Sequence, residues 1–310
     1  MKIFAFQTKD GVERLGTFWN DIEVFDIVKV GERLPKPKFE VIKNMEELIS
    51  MGDKSIKKLN KMIKELKELE VNDLEIFTEI KTNAFYPVKE IKFLPPLTNP
   101  QKIICLGRNF LEHAKEGGKE PPINPMIWGK FNTAIIGHQD NIILPKISEK
   151  VDVEIELVVV IGKEGKHIPE EEALEYVWGY TIGNDVTARD YQYTDKQFTR
   201  AKTMDTFAPL GPWIVTSDEL TDPQKLELEL KVNGNTWQKS HTKHMIFSVA
   251  YTIAYLSKSF TFKPGDLIFT GTPSGVGHYQ KPPVYLKKGN IITLSIENIG
   301  VLSNPVVEEE

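Results

Sequence analysis

The sequence predicts an α+β protein that is mostly β, built from a small N-terminal α+β domain and a larger β-rich domain. Three observations lead to this prediction: short alternating strands in the first 35 residues, one long amphipathic helix after them, and many short apolar strands separated by Gly and Pro turns beyond residue 100. Residues 93–100 form a proline-punctuated connector, and we place the boundary at Pro95-Pro96. The expected domains are residues 1–95 and 96–310.

The N-terminal domain is expected to begin with short strands. Turn residues interrupt the alternation at Lys9-Asp10-Gly11 and again at Gly31-Glu32. Apolar residues then recur at helical spacing with Lys and Glu between them, namely Ile56, Leu59, Met62, Ile63, Leu66 and Leu69. This pattern predicts an amphipathic helix whose charged face is in solvent.

The second domain is expected to be mainly β. Residues 152–162 and 177–184 are rich in Val, Ile and other apolar residues, which predicts two buried strands. Helices are predicted only for residues 110–116, which Gly117 and Gly118 end, and for residues 243–258.

The composition narrows the class of function. The chain has 310 residues, 40% of them hydrophobic and 27% charged, which is typical of a globular protein with a substantial core. A net charge of −5 argues against a nucleic-acid or anionic-membrane partner. Cys105 is the single cysteine, so a disulfide framework and a multi-cysteine metal site within one chain are excluded. No segment has the pattern of a signal peptide or a membrane span, and we expect a cytoplasmic enzyme or binding protein.

Two carboxylates stand at the start of the strand predicted for residues 152–162. Alternation along a strand sends Glu154 and Glu156 to the same face, where they repel each other unless a positive group joins them. A hard divalent cation such as Mg²⁺ would satisfy them, and Asp185, at the end of the next apolar strand, could supply a third oxygen. A solvated face or pairing with Arg and Lys explains the same pattern. From the residues alone, both interpretations stay open.

Other polar residues have ordinary explanations as well as functional ones. His113 and Glu116 share one face of a short helix, where an exposed histidine and a solvated glutamate are the commoner arrangement. Lys202 could be an ion-paired surface lysine. The chain has no Gly-x-Ser-x-Gly elbow, which disfavours a serine hydrolase.

Several segments together resemble the fumarylacetoacetate hydrolase family, in particular its smaller acylpyruvate hydrolase and oxaloacetate decarboxylase members. The matching motifs lie in the family's order at residues 102–113, 152–162, 179–190, 209–213, 264–277 and 299–306. The resemblance implies a mixed β-roll of folded-over sheets behind a small N-terminal cap domain, and usually a homodimer. It also implies a Mg²⁺ or Mn²⁺ site whose ligands fall on Glu154, Glu156 and Asp185, with Asp152 only beginning the strand.

The resemblance further implies roles for the remaining polar residues. His113 and Glu116 become a dyad on a lid hinged at Gly117 and Gly118, in which the carboxylate orients the imidazole as a general base. Lys202 would stabilise enolate charge. Substrate binding falls on three residues, namely Arg189, Gln192 and Thr272. Arg108 and Lys130 also lie in the motifs, without an assigned role.

The implied substrate is a small 2-oxo or 2,4-dioxo acid whose enolate is stabilised by the cation. Attack of water at C4 would release pyruvate, loss of a C4 carboxylate would release CO₂, and movement of a proton alone would be a keto–enol isomerisation. We expect C–C bond hydrolysis, because the water-activating dyad is present. The alternatives are an oxaloacetate-type decarboxylase, an isomerase or decarboxylase of aromatic catabolism, and a catalytically idle binding protein that retains the fold.

Overall fold

In the computed structural model, which describes residues 1–35, 42 and 44–310, the chain begins with a β-hairpin. Strands β1 (Lys2–Gln7) and β2 (Glu13–Phe18) pair antiparallel around the predicted turn, where Gly11 adopts a φ of 78° that favours glycine. Strand β3 (Glu23–Asp26) then pairs with β2. The alternating pattern of this segment is therefore a meander, as expected.

The second predicted turn, at Gly31-Glu32, is wrong, because both residues lie inside helix α1 (Ile27–Arg33). The carboxylate of Asp26 caps this helix by accepting hydrogen bonds from the backbone N–H groups of Val28 and Lys29. A capped helix with a buried apolar face tolerates an internal glycine at a cost of only about 1 kcal/mol.

The predicted amphipathic helix is α3 (Asp53–Asn72), and its apolar face is buried. Two shorter helices on either side of it were not predicted, α2 (Met45–Ser50) and α4 (Leu74–Ala84). Asp73 separates α3 from α4, since its carboxylate accepts a hydrogen bond from the N–H of Ile76. Strands β4 (Phe85–Pro87) and β5 (Lys92–Phe93) complete this part of the chain.

The remaining elements are mostly short strands, as expected. In chain order they are β6 Ile103–Gly107, α5 Leu111–Glu116, β7 Met126–Gly129, β8 Ile135–Ile136, β9 Ile142–Leu144, β10 Val151–Asp152, β11 Ile155–Ile161, β12 Val177–Asn184, β13 Thr187–Ala188, α6 Arg189–Thr194, α7 Phe198–Lys202, β14 Ala208–Thr216, β15 Glu227–Val232, β16 Asn235–His241, α8 Val249–Ser257, β17 Leu267–Phe269, β18 Ile291–Ile296 and β19 Gly300–Glu308.

The helix predicted for residues 243–258 is only partly correct. Residues 242–244 form a 3₁₀ turn, and α8 begins at Val249. Ser248 sets this start, because its hydroxyl accepts a hydrogen bond from the N–H of Tyr251.

The strands form two main sheets, which confirms the α+β, mostly β fold class. The larger sheet has the order β4-β3-β2-β1-β14-β12-β11-β17-β6-β7, and β5 and β8 join it at β1 and β14. The smaller sheet has the order β16-β15-β18-β19-β9, and β10 pairs with β13 separately. Because β1 pairs with β14, the larger sheet runs across the expected domain boundary. The division at residues 95 and 96 stays a prediction.

Strand β11 lies in the middle of the larger sheet and is buried on both faces. Leu157 and Val159 belong to a core that includes the smaller sheet. Val158 and Val160 belong to a second core, shared with the N-terminal helices. The continuous apolar run of this strand follows from having two buried faces.

One buried hydrogen bond joins α3 to this sheet, and it gives a test of how firmly the N-terminal helices are attached. The indole N–H of Trp178 donates to Ser55 Oγ at 3.0 Å, and both side chains are fully buried. We expect Ser55→Ala to lower the free energy of unfolding by about 1–3 kcal/mol, because the indole N–H loses its partner. Urea denaturation measures this loss. Ser50→Ala, which removes an exposed hydroxyl in α2, should change it by less than about 0.5 kcal/mol. Equal effects of the two substitutions would contradict the prediction.

Candidate active site

Three buried carboxylates converge where β11 begins and β12 ends. These strands are antiparallel with Ile155 opposite Asn184, so Glu154 and Asp185 lie side by side, and the N–H of Asp185 donates to the Glu154 carbonyl at 2.9 Å. Glu154 directly precedes β11, and Glu156 is the second residue of that strand. One carboxylate oxygen from each of Glu154, Glu156 and Asp185 lies within 4.8 Å of the others. The structure thus brings together the three residues that the sequence singled out.

Two buried lysines neutralise part of this cluster. Lys202 Nζ donates to Glu154 Oε2 and to Asp185 Oδ2, both at 2.8 Å. Lys130 Nζ lies 2.7 Å from Asp185 Oδ1 and donates to the carbonyl of Phe207 at the same distance. Burial alone would lower the pKa of Lys202, but the charges of Asp185 and Glu154 outweigh it and raise that pKa. Lys202 is therefore a buried cation at the centre of the site, and the surface-lysine interpretation is wrong.

Arg189 is held on three sides. Its Nε donates to Asp152 Oδ2 at 2.9 Å, its Nη1 to Gln192 Oε1 at 3.0 Å and its Nη2 to Glu154 Oε1 at 2.6 Å. Asp152 also accepts the backbone N–H groups of Gly277 and His278, at 2.9 and 3.0 Å. The strand predicted for residues 152–162 is interrupted at residues 153 and 154, so Asp152 ends β10 instead of beginning β11. It fixes Arg189 against the turn that contains Gly271, Gly275 and Gly277, here called the glycine turn.

Glu156 differs from the other two carboxylates of the cluster. Among the described residues it has no cationic partner, and its Oε2 accepts a hydrogen bond from the N–H of Gly271 at 2.7 Å. Burial, together with the charges of Asp185 and Glu154, raises the pKa of Glu156 well above its usual range. A divalent cation would relieve this repulsion, and an all-carboxylate donor set suits Mg²⁺ or Mn²⁺. The residues present therefore fit the implied metal.

The predicted dyad is formed on α5. His113 Nδ1 lies 2.7 Å from Glu116 Oε1, and Glu116 Oε2 accepts the N–H of Gly275 at 2.9 Å. Gly118 takes the left-handed conformation that ends the helix, with a φ of 61°. Because Glu116 bridges α5 and the glycine turn, the imidazole is fixed with Nε2 as its remaining ring nitrogen.

One cavity of about 140 Å³ connects the dyad to the carboxylates. Seven of the predicted residues line it, namely His113, Glu154, Glu156, Arg189, Gln192, Lys202 and Thr272. The hydroxyl of Thr272 is already engaged, since it donates to the Ile155 carbonyl at 2.9 Å and accepts from Gln238 Nε2 at 2.8 Å. Asp185 and Glu116 are not among the lining residues, but each contacts one of them: Asp185 contacts Lys202, and Glu116 contacts His113.

Sequence reasoning missed two tyrosines in the lining of this cavity. Tyr193 and Tyr279 join their hydroxyls at 2.9 Å, and the Tyr279 ring lies 6.1 Å from the His113 ring. Burial and the hydrogen bond with Tyr193 raise the pKa of Tyr279. Only their positions in the sequence could have indicated them: Tyr193 follows Gln192, and Tyr279 follows the glycine turn. Lys119 is exposed and also borders the cavity.

Comparisons with known proteins agree with this geometry. The family model "Fumarylacetoacetate (FAA) hydrolase C-terminal" matches residues 102–307. A rat protein, "Oxaloacetate tautomerase Fahd2a, mitochondrial", is 47% identical over 222 residues, which are 71% of this chain and 71% of that protein.

Solved structures match over the whole chain. A fumarylacetoacetate hydrolase from Exiguobacterium antarcticum is 34% identical with a TM-score of 0.79, and a maleylpyruvate hydrolase from a Sphingobium species is 28% identical with a TM-score of 0.75. Each comparison covers 100% of both chains.

The comparisons leave three expectations untested, the domain division among them, and one unsupported. The homodimer and the individual roles of the site residues stay predictions. The rat relative is described as mitochondrial, so it lends no support to the cytoplasmic location expected from the sequence. In the described part of the chain, no helix has both the length and the apolar character needed to cross a membrane. The matched model covers well over half of the chain and agrees with the motifs found in the sequence, and the chain therefore belongs to the fumarylacetoacetate hydrolase family.

Proposed function

We propose that this chain catalyses the keto–enol tautomerisation of oxaloacetate or a closely similar small 2-oxo acid. The observation that carries the proposal is a buried carboxylate cluster and a His–Glu dyad that face one small cavity. A cavity of about 150 Å³ inside a protein accommodates benzene, so a volume of about 140 Å³ suits an acid of four to six carbons. The name of the rat relative favours a proton transfer over the hydrolysis that we expected from the sequence.

In this proposal Glu154, Glu156 and Asp185 hold Mg²⁺ or Mn²⁺. When bound, such a cation would polarise the C2 carbonyl of the substrate and favour negative charge on its oxygen. Lys202 supplies a second positive charge beside the same position, because its ammonium group is held between Glu154 and Asp185. These charges are already ordered in the folded protein, so substrate binding does not have to order them.

We assign the transfer of the C3 proton to His113. Since Glu116 faces Nδ1, Nε2 is the nitrogen that can take the proton from C3 while the C2 oxygen gains one, and that can deliver a proton to C3 when the enol loses its hydroxyl proton. The hydrogen bond from Gly275 to Glu116 holds the carboxylate in place during this exchange. Arg189, anchored by Asp152, keeps Glu154 oriented toward the site and leaves part of its guanidinium for the substrate.

Hydrolysis of a 2,4-dioxo acid is the second candidate. The same Nε2 could instead take a proton from a water molecule that attacks C4, and two hydrolases are among the similar structures. The residues at the site are the same for both reactions, so the products have to distinguish them.

The test follows the enol substrate and two possible products separately with the purified chain. Enol oxaloacetate is mixed with enzyme and Mg²⁺, and the ultraviolet absorbance of the enol, pyruvate and CO₂ are recorded, with parallel reactions on acetylpyruvate and in excess chelator. We expect chelator-sensitive loss of the enol without matching pyruvate or CO₂. Pyruvate and acetate from acetylpyruvate would establish the hydrolase instead. No reaction of either substrate would refute both candidates.

A further inference from the structure

We infer that Arg108 binds the distal carboxylate of the substrate and so makes this a site for dicarboxylic acids. The inference rests on the proposed function and adds a substrate class to it. The 2-oxo acid end of the substrate would lie at the carboxylate cluster and Lys202, and the far end would reach Arg108.

The first argument is the pairing of the cations around the cavity. Arg189, Lys202 and Lys130 each bind buried carboxylates of the protein. Arg108 and Lys119 line the same cavity, and no carboxylate among the described residues pairs with either, but Arg108 is half-buried whereas Lys119 is exposed. The single hydrogen bond of Arg108 within the described part of the chain is a 3.4 Å contact from Nη2 to Met126 Sδ, and a thioether is a weak acceptor. The guanidinium therefore retains the donors that bind a carboxylate in a two-pronged geometry.

The second argument is the backbone at Arg108, which has a φ of 53°. A non-glycine residue in this left-handed region is strained, and such strain persists only where neighbouring contacts enforce it. Asn109 supplies these contacts. Its fully buried amide donates to the carbonyls of Phe247 at 3.0 Å and Thr270 at 2.8 Å, and it accepts the N–H of Phe247 at 2.7 Å. The loop is thus anchored in the one conformation that leaves Arg108 at the cavity wall.

The third argument is the size and charge of the cavity. Arg108 and the carboxylate cluster line one cavity of only about 140 Å³, so one small acid can contact both. A four-carbon dicarboxylate carries a negative group at each end and would satisfy both. A 2,4-dioxo acid that ends in a methyl group would leave the Arg108 guanidinium facing an apolar group, which costs binding energy. Arg108 therefore selects dicarboxylates over acids with a neutral end.

The test measures binding without turnover. Isothermal titration with Mg²⁺ present compares malate, which has a distal carboxylate, with oxalate, which has none beyond the metal-binding end. We expect Arg108→Gln to raise the Kd for malate by about 10- to 100-fold, the range for a lost charge-assisted hydrogen bond, and the Kd for oxalate by less than about threefold. Arg108→Lys, which keeps the charge without the planar fork, should fall between them. Lys115→Gln removes an exposed cation paired with Glu112 and is the matched control.

Turnover gives a second readout. In Arg108→Gln the ratio of kcat/KM for oxaloacetate to kcat/KM for acetylpyruvate should fall about 10- to 100-fold, and melting curves should match the wild type. Equal weakening of malate and oxalate, no weakening of either, or failure of malate to bind the wild type would overturn the inference. Because the titrations need no reaction, an inactive wild type would refute the proposed function without deciding the role of Arg108.

Discussion

Glu156→Gln should remove metal-dependent activity and leave the fold intact. Loss of one charged ligand would forfeit several kcal/mol of charge stabilisation, so we expect turnover of the enol substrate to fall about 10³-fold or more. The glutamine carbonyl can still accept the N–H of Gly271, and a neutral side chain avoids the repulsion that raises the pKa of Glu156. Without metal, the free energy of unfolding should therefore stay the same or rise.

Thermal unfolding with Mg²⁺ and with chelator separates the loss of metal binding from any change in the stability of the metal-free protein. A ligand present at 100 times its Kd stabilises the wild type by about 2.7 kcal/mol, and this gain should be absent in Glu156→Gln. Glu149→Gln, which removes one negative charge from an exposed position outside the cavity lining, is the matched control and should keep the full gain. An undiminished Mg²⁺ effect on Glu156→Gln would show that the cluster is not the metal site.

His113→Ala should slow the enol–keto conversion by about 10²–10⁴-fold, the usual contribution of a positioned general base. Oxalate should still bind, because its contacts lie at the cation and not at the imidazole. Decarboxylation of oxaloacetate should fall less than the proton transfer, since the cation and Lys202 supply the charge stabilisation that this reaction needs.

The variant and the wild type are compared by following enol, pyruvate and CO₂ in one reaction. Glu116→Gln should give a smaller loss, because it leaves Nε2 in the cavity but weakens the contact that orients the ring. His244→Ala removes an exposed histidine that does not line the cavity and is the control. Small and equal decreases in the rates of enol loss, pyruvate formation and CO₂ formation would show that His113 is not the base in any of the three reactions.

Local patterns were sufficient where one element determines its own structure. The helical spacing from Ile56 to Leu69 predicted α3, and the apolar run that ends at Asn184 predicted β12. The predicted helix bounds were wrong where one helix-capping residue outweighed a rule based on residue type. Asp26 extends a helix through Gly31, and Ser248 delays α8 to Val249. A cap is one hydrogen bond, and its presence depends on a conformation that propensity does not specify.

The carboxylate cluster was predictable because its residues follow from strand period and strand ends. Glu154 and Glu156 share a face by alternation, and antiparallel pairing of β11 with β12 places Asp185 beside them. The motifs also predicted the His113–Glu116 pair, whose spacing of three residues is a property of one helix.

Contacts between distant parts of the chain required the tertiary structure. Asp152 holds Arg189 and the N–H of Gly277, which is 125 residues away, and Asn109 anchors Arg108 through Phe247, 138 residues away. Which cations at the site are neutralised by the protein and which stay available to a ligand depends on such contacts. Sequence periodicity describes the surroundings of a residue only within its own element, whereas charge pairing in a buried site is decided by whichever elements the fold packs against it.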